Sequence, residues 1–300
     1  MKKALIIINP CAGKKLGLRS LPKIIEKLSN ADFICTPYIT KAPGDGGTFL
    51  QNNHAGFDLI VCAGGDGTLH EICGTVIEND ITLPVGYIPT GSTNDFAVSL
   101  RLPKSVDKAI ENIIDGKPVR FDMGEINGRK FIYVASFGAF TQASYATPQN
   151  MKNVLGHFAY VLAGIKDITS LKPVHLTVKT DEKSYAGDYI FGAFSNSMSI
   201  GGLLKYKAGR VNLRDGKHEM LLIRNPENLL EFAQIVHCLN TGDYNNKMIE
   251  HCQSSRFAIH ADAKTDWTVD GEYEKGEEEI VICNLPKAVR LIVPAKMKTK

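Results

Sequence analysis

The chain has 300 residues, of which 44% are hydrophobic and 22% charged, and 35 basic against 32 acidic side chains leave a net charge of +3. That length favours two domains, and the composition excludes a disordered, collagen-like or coiled-coil chain. So small a positive excess offers no basic stripe for nucleic acid, and no apolar run reaches the roughly 18 residues of a membrane-spanning helix.

In chain order, Ala4–Ile8 is a continuous apolar run, as expected of a strand covered on both faces. It stops at Asn9-Pro10, so it reads as a first strand rather than a secretion leader. Leu21–Leu28 has helical spacing, Asp32–Tyr38 is a second strand, Gly44–Gly47 a turn and Thr48–His54 a helix. Asp58–Ala63 is a buried strand running into Gly64-Gly65-Asp66-Gly67-Thr68, with a helix to Ile77. Leu83–Ile88 is a strand ending in Pro89-Thr90-Gly91-Ser92, and Ser105–Ile114 is helical. This alternation predicts a doubly wound parallel α/β sheet.

The rhythm changes near Pro118. Val119–Ile126, Asn127-Gly128 and Lys130–Ser136 predict a hairpin with a tight turn. Met151–Ile168 reads as a helix, as does Pro226–Cys238. Val174–Lys179, Tyr185–Phe194, His218–Arg224, Arg256–His260, Trp267–Val269 and Glu278–Cys283 read as short strands of an antiparallel sandwich or barrel. The expected boundary lies near residue 120, between the α/β part and the sandwich or barrel that follows, with the interdomain cleft as the default ligand site. The seven cysteines (11, 35, 62, 73, 238, 252 and 283) are odd in number and lack CxxC spacing. They predict mostly buried thiols in a reducing cytoplasm, not a disulfide framework or zinc site.

Five loops carry chemistry. Gly64-Gly65-Asp66-Gly67-Thr68 joins a buried strand to a helix, so backbone N–H groups and a helix N-terminus can meet phosphate. Asp66 would repel that phosphate unless a cation lay between, which suggests Mg²⁺. A tight turn with an Asp cap is the alternative reading. Asn9 to Lys15 follows the first strand without forming a P-loop, and Pro89 to Phe96 opens a helix with hydroxyl and amide groups that can also be simple caps. Loops after parallel strands lie on one sheet edge, which favours a nucleotide. Val269-Asp270-Gly271-Glu272 offers paired carboxylates for base or metal work, or a hairpin turn; Arg214-Asp215-Gly216 reads the same way.

Together these residues resemble the bacterial diacylglycerol kinase and lipid kinase family, related to sphingosine kinases and, more distantly, to NAD kinases. GGDGT at 64–68, Asn9-Pro10 with Gly13, Gly91-Ser92-Thr93-Asn94-Asp95-Phe96-Ala97 and the two DG motifs at 215 and 270 carry the resemblance. It implies ATP contacts from Asn9, Pro10, Gly13, Thr40, Gly64, Gly65, Asp66, Gly67, Thr68, Leu69, His70, Gly91, Ser92, Asn94 and Asp95. It implies an α/β nucleotide-binding domain over residues 1–120, rejoined by a last strand at about 288–300 for which Leu291–Val293 is the candidate, and a β-sandwich over 121–287 that completes the active-site cleft. It implies that Asp66 acts through a catalytic Mg²⁺. A structural Mg²⁺ would sit on Asp215, with backbone oxygens of Asn212 and Lys217. Asp270 and Glu272 both match the general-base position, and the sequence does not separate them. Ser92, His70 and Val98 depart from the family pattern without removing a charge the chemistry needs.

The implied reaction moves the γ-phosphoryl of ATP to a lipid hydroxyl, diacylglycerol first. A sphingoid base, another lipid alcohol or NAD is the alternative acceptor, and a nucleotide-binding regulator without turnover is the rival from another class. A dehydrogenase is disfavoured by the missing GxGxxG. The expected partners are a lipid at the cytoplasmic inner membrane surface, met peripherally, and no nucleic acid. The stretch 154–165 and the tail lysines Lys296, Lys298 and Lys300 are the candidate contacts, with core and solvated terminus as their simpler readings. The oligomeric state stays open, a homodimer included.

Overall fold

The computed structural model describes residues 1–92, 94–138, 171–196, 199–200, 204–205 and 212–297. The expected helix 151–168, its apolar stretch 154–165, Thr93, Lys298 and Lys300 lie outside the described residues. The chain divides into two compact units, Met1–Phe121 with Lys287–Lys300, and Asp122–Pro286.

In the first unit, β1 (Lys2–Ile8) is followed by a 3-10 turn (Gly13–Lys15), α1 (Leu16–Arg19), α2 (Leu21–Asn30) and β2 (Phe33–Ile39). Then come α3 (Asp45–Asn53), β3 (Leu59–Gly64), α4 (Asp66–Glu78), β4 (Val85–Pro89), α5 (Asp95–Ser99), α6 (Val106–Asp115) and β5 (Lys117–Ile126). The strands pair in parallel in the order β2-β1-β3-β4, and Leu291 near the chain end lies parallel to Val85. Ala4 to Ile8 and Ile60 to Ala63 are fully buried, which is why their runs are continuously apolar. Ile24 and Leu28 of α2, and Ala109, Ile110 and Ile113 of α6, cover the sheet. Ser105 caps α6, its hydroxyl accepting the Lys108 N–H at 3.4 Å.

The expected turn at Gly44–Gly47 is shorter than the spacing predicts, because α3 already begins at Asp45. Gly46 and Gly47 lie inside the helix where it meets α4. A Cβ at Gly47 would sit 2.5 Å from Thr75 Oγ1, and the Gly47 N–H donates to Glu71 Oε1 at 2.6 Å. Here glycine serves close helix packing, not chain reversal.

The second unit is antiparallel. It contains β6 (Arg129–Phe131), β7 (Val134–Gly138), β8 (Val174–Lys179), β9 (Ser184–Ser195), the two-residue strands β10 (Ser199–Ile200) and β11 (Leu204–Lys205), β12 (His218–Arg224) and α7 (Leu229–Thr241). β13 (Ile249–Ser254), β14 (Arg256–Ala261), β15 (Trp267–Val269), β16 (Glu272–Glu274) and the first part of β17 (Glu279–Val293), as far as Pro286, complete it; the rest of β17 belongs to the first unit. Its pairings run β16-β15-β7-β9-β8-β14-β17, with β12 bridging β9 and β13. Trp267, fully buried, packs 5.1 Å from Phe137 and 5.8 Å from Phe194, ring centre to ring centre, in the core of this unit.

Four details depart from the sequence expectations. The strand expected over Lys130–Ser136 is broken at Ile132 and Tyr133, whose N–H groups go to a side chain instead of a ladder. The helix expected from Pro226 starts at Leu229, because Asn228 caps it by accepting the Glu231 N–H at 3.0 Å. Glu278–Cys283 and the returning strand Leu291–Val293 are one 15-residue strand, β17, and β13 and β16 carried too few apolar residues to be read. Finally, three cysteines are buried (Cys62, Cys73 and Cys238), Cys35, Cys252 and Cys283 are half-buried, and Cys11 is exposed, so fewer thiols are interior than expected. Among the described residues no helix is long and apolar enough to cross a membrane.

Candidate active site

In the first unit the loops after β1, β3 and β4 meet at the carboxyl ends of the strands, the edge where open α/β sheets take ligands. Their contact is backbone to backbone. A Cβ at Gly13 would lie 1.9 Å from the Thr90 carbonyl oxygen, and one at Gly91 would lie 2.6 Å from Gly65 Cα. Gly13 also has φ +41°, a left-handed backbone that adds strain for most other residues. Asn9 links two of these loops: its Nδ2 donates to Thr68 Oγ1 at 3.0 Å and its Oδ1 accepts the Cys11 N–H at 2.9 Å. Thr40, at the end of β2, donates its N–H to the Ile8 carbonyl at 2.9 Å.

α4 starts at Asp66 with Gly65 as N-cap and no side chain capping it. A Cβ at Gly67 would meet no heavy atom within 4 Å, so the first turn has open space beside Gly67. Uncapped amides beside open space at a helix N-terminus fit a phosphate group. Asp66 turns toward the β4 loop, where its Oδ1 accepts the Phe96 N–H at 3.3 Å. Leu69 turns inward, with a fully buried side chain and an N–H bonded to the Gly65 carbonyl, while His70 is half-buried. Pro10 is half-buried and Ser92 exposed.

Asn94, at φ +54°, folds back on its own loop: Oδ1 accepts the Gly91 N–H at 3.0 Å and Nδ2 donates to the Gly91 carbonyl at 2.8 Å. The Tyr87 hydroxyl lies within hydrogen-bond reach of both the Gly64 carbonyl, at 3.3 Å, and Asn94 Oδ1, at 3.2 Å. Burial first, and the nearby Asp66 charge second, push this phenol well above its ordinary value, so it is a neutral donor between two loops. Nothing in the run VGYIP marks Tyr87 as more than a buried strand residue, and sequence reasoning missed it. Gly13→Ala is expected to destabilise the unit by about 1–3 kcal/mol and to weaken ATP binding. Thermal melts with and without ATP check both, and a variant with unchanged melting and an unchanged ATP-dependent rise would refute the close-contact role.

In the second unit, Asp270 (φ +50°) and Gly271 (φ +87°) form the tight turn between β15 and β16. The Asp270 carboxylate accepts three backbone N–H groups: Ile132 at 2.7 Å on Oδ2, and Tyr133 at 3.1 Å and Val134 at 3.0 Å on Oδ1. Those donors come from the break between β6 and β7 and from the first residue of β7. Glu272 is different, with its side chain 67% exposed and Oε2 taking the Arg129 Nη2 at 2.9 Å. Asp270 is therefore engaged in holding the turn, and Glu272 projects from it.

The segment Asn212–Lys217 lies beside a residue the sequence reading missed, Asp122, which is fully buried. Asp122 Oδ2 accepts the Gly216 N–H at 2.7 Å, and Asp215 Oδ1 accepts the Lys217 N–H at 3.1 Å. An acid between Phe121 and Met123 was the available signal. Desolvation first, and the Asp122 charge after it, push the Asp215 carboxyl above the ordinary range. A second carboxylate beside Asp215 fits a divalent cation. Among the described residues no group of three or more His, Cys, Asp or Glu side chains forms a metal cage, so such an ion would also need backbone oxygens and water.

Next to this segment, Glu219 is buried and its carboxyl is pushed up to about 8, chiefly by desolvation. Between its ordinary 4.5 and about 8 the folded chain holds a proton on Glu219 that the unfolded chain has lost, so the contribution of Glu219 to stability falls as pH rises through that window. Glu219→Gln is expected to remove a slope of at most about 1.4 kcal/mol per pH unit, so that the variant gains on the native protein from about pH 5 to about pH 8. His218, fully buried and pushed down to about 3, adds the opposite slope at acid pH and is common to both proteins. Urea melts in metal-free buffer check this, and parallel pH profiles would contradict it.

The diacylglycerol kinase catalytic domain family matches residues 3–126, and the YegS C-terminal NAD kinase β-sandwich-like domain family matches residues 134–293. The chain is 32% identical over 302 residues to the diacylglycerol kinase of Staphylococcus saprophyticus, covering 100% of this chain and 98% of the relative. It is 31% identical over 298 residues to the diacylglycerol kinase of Bacillus subtilis, covering 98% and 97%. A solved diacylglycerol kinase structure from Bacillus anthracis shares the fold, with a TM-score of 0.77 at 21% identity, covering 97% of each chain. A second solved chain from that organism gives 0.82 at 22% identity, covering 97% of this chain and 95% of its own.

Proposed function

The chain belongs to the diacylglycerol kinase family, and on that premise we propose that it is an ATP-dependent lipid kinase acting on diacylglycerol. The observation that carries the reading is the meeting of three glycine-bearing loops at the uncapped start of α4. The amides there bind and orient the phosphates, and the close contacts at Gly13, Gly65 and Gly91 keep them fixed before substrate arrives.

The acceptor hydroxyl oxygen attacks the γ-phosphorus, the bond to the bridging oxygen breaks, and ADP leaves. Glu272 takes the hydroxyl proton on its free carboxylate oxygen, Oε1, as the new P–O bond forms. Asp270 holds the turn from which Glu272 projects. Asp66, with the phosphate loops, and Asp215 with Asn212, Lys217 and Asp122, are the residues that would hold Mg²⁺. When bound, Mg²⁺ neutralises phosphate charge at the first set and stiffens the loop at the second. The lipid is collected at the cytoplasmic face of the membrane by peripheral contact.

Transfer of labelled phosphate from ATP with Mg²⁺ to diacylglycerol in mixed micelles tests the reading, with a sphingoid base and NAD as parallel acceptors. Labelled phosphatidic acid is expected. Product from another acceptor alone would move the substrate assignment. ATP binding without any product would favour a nucleotide-binding regulator.

A further inference from the structure

We infer that Arg129 is a positioning residue for phosphoryl transfer, a clamp that fixes the rotamer of Glu272; this rests on Glu272 being the proton acceptor. Arg129 lies on β6, in the second unit, 143 residues before Glu272 in sequence. Its Nη2 donates to Glu272 Oε2 at 2.9 Å, and its Nη1 donates to the Tyr273 carbonyl at 3.0 Å and to Glu274 Oε2. One guanidinium thus grips three successive residues of β16. Glu272 and Glu274 are alternate residues of that strand and share a face, so the single cation sits on both carboxylates.

The geometry suits placement better than stability. The Glu272 side chain is 67% exposed and that of Arg129 28% exposed, and an ion pair this open adds little to folding. A free glutamate samples several rotamers, however, and a base must meet its proton within hydrogen-bond reach. Holding Oε2 fixes the carboxylate, leaves Oε1 for the proton and removes that search. The same short stretch also anchors the other acid of the turn, because the N–H groups of Ile132, Tyr133 and Val134 hold Asp270. The turn is therefore gripped twice, by the backbone of Ile132, Tyr133 and Val134 at Asp270 and by the Arg129 side chain at Glu272.

The test is steady-state transfer from ATP to diacylglycerol in mixed micelles, with thermal melts alongside. Arg129→Gln is expected to lower kcat by about 10–100-fold with the ATP KM within about two-fold and little change in Tm. Arg129→Lys should recover part of the loss, since it keeps the charge without the fork. Added guanidinium should raise turnover of Arg129→Ala and leave Glu272→Gln unmoved. The double variant Arg129→Gln/Glu272→Gln should be no slower than Glu272→Gln alone. Lys130→Gln, which breaks the Lys130–Glu125 pair of the same hairpin, should keep native turnover. Full turnover in Arg129→Gln, additive losses in the double variant, or an equal loss in Lys130→Gln would overturn the inference while leaving Glu272 in place. Native turnover in Glu272→Gln would instead remove the proton-acceptor reading, and this inference with it.

Discussion

Glu272→Gln is expected to lower kcat by about 10²–10⁴-fold, the usual worth of a positioned general base, with the ATP KM and Tm nearly unchanged. The reasons are geometric. Glu272 is exposed, it sits beyond a tight turn, and one of its oxygens is held by Arg129 while the other has no partner within the turn. Glutamine keeps the shape and the Arg129 contact through its carbonyl oxygen but cannot take a proton. A variant whose ATP KM rises while kcat holds would make Glu272 a nucleotide-binding residue and not a base. Because little packing depends on the side chain, its loss should not move the melting curve.

Asp270→Ala is expected to do the reverse. It removes the acceptor for three N–H groups whose residues, Ile132, Tyr133 and Val134, are 2%, 6% and 0% exposed. Each buried donor left unpaired costs about 1–3 kcal/mol, so a loss of about 3 kcal/mol or more is expected. For a unit of this size that is a fall in Tm of about 6–12 °C. Alanine also fits the turn poorly at φ +50°. Asp270→Asn keeps one oxygen acceptor and tolerates that backbone, so it should fall between native and alanine in stability and keep more turnover than Glu272→Gln. If Asp270→Asn abolished kcat while melting like the native protein, the roles of the two acids would have to be exchanged.

These paired expectations show how far the chain could be read without coordinates. GGDGT, Asn9-Pro10 and Gly91-Ser92 were legible because each sits where a buried apolar run ends and a helix begins, and both signals are local. The strands Val174–Lys179, His218–Arg224 and Trp267–Val269 have the bounds their alternation predicts, for the same reason. Local pattern misjudged α3 because the cause of its glycines is Thr75 and Glu71 on another helix. It missed β16 because that strand is three mostly exposed residues recruited by pairing with β15.

The sequence by itself thus determined the α/β and antiparallel β rhythm of the two units, the loops that gather glycine and acid, and the family resemblance those residues carry. The tertiary structure alone distinguishes the two acids of the turn by their partners. Asp270 and Glu272 are two residues apart and chemically alike, and the difference between them is made by partners far along the chain. Ile132 to Val134 hold Asp270 from 136 to 138 residues away, and Arg129 holds Glu272 from 143 away. Asp122 reaches Gly216 across 94 residues. Hydrophobic periodicity records which face of an element is buried, because burial repeats with the turn of the helix or the pleat of the strand. A single hydrogen bond between distant residues has no period, so it leaves no such trace and exists only once the chain has folded.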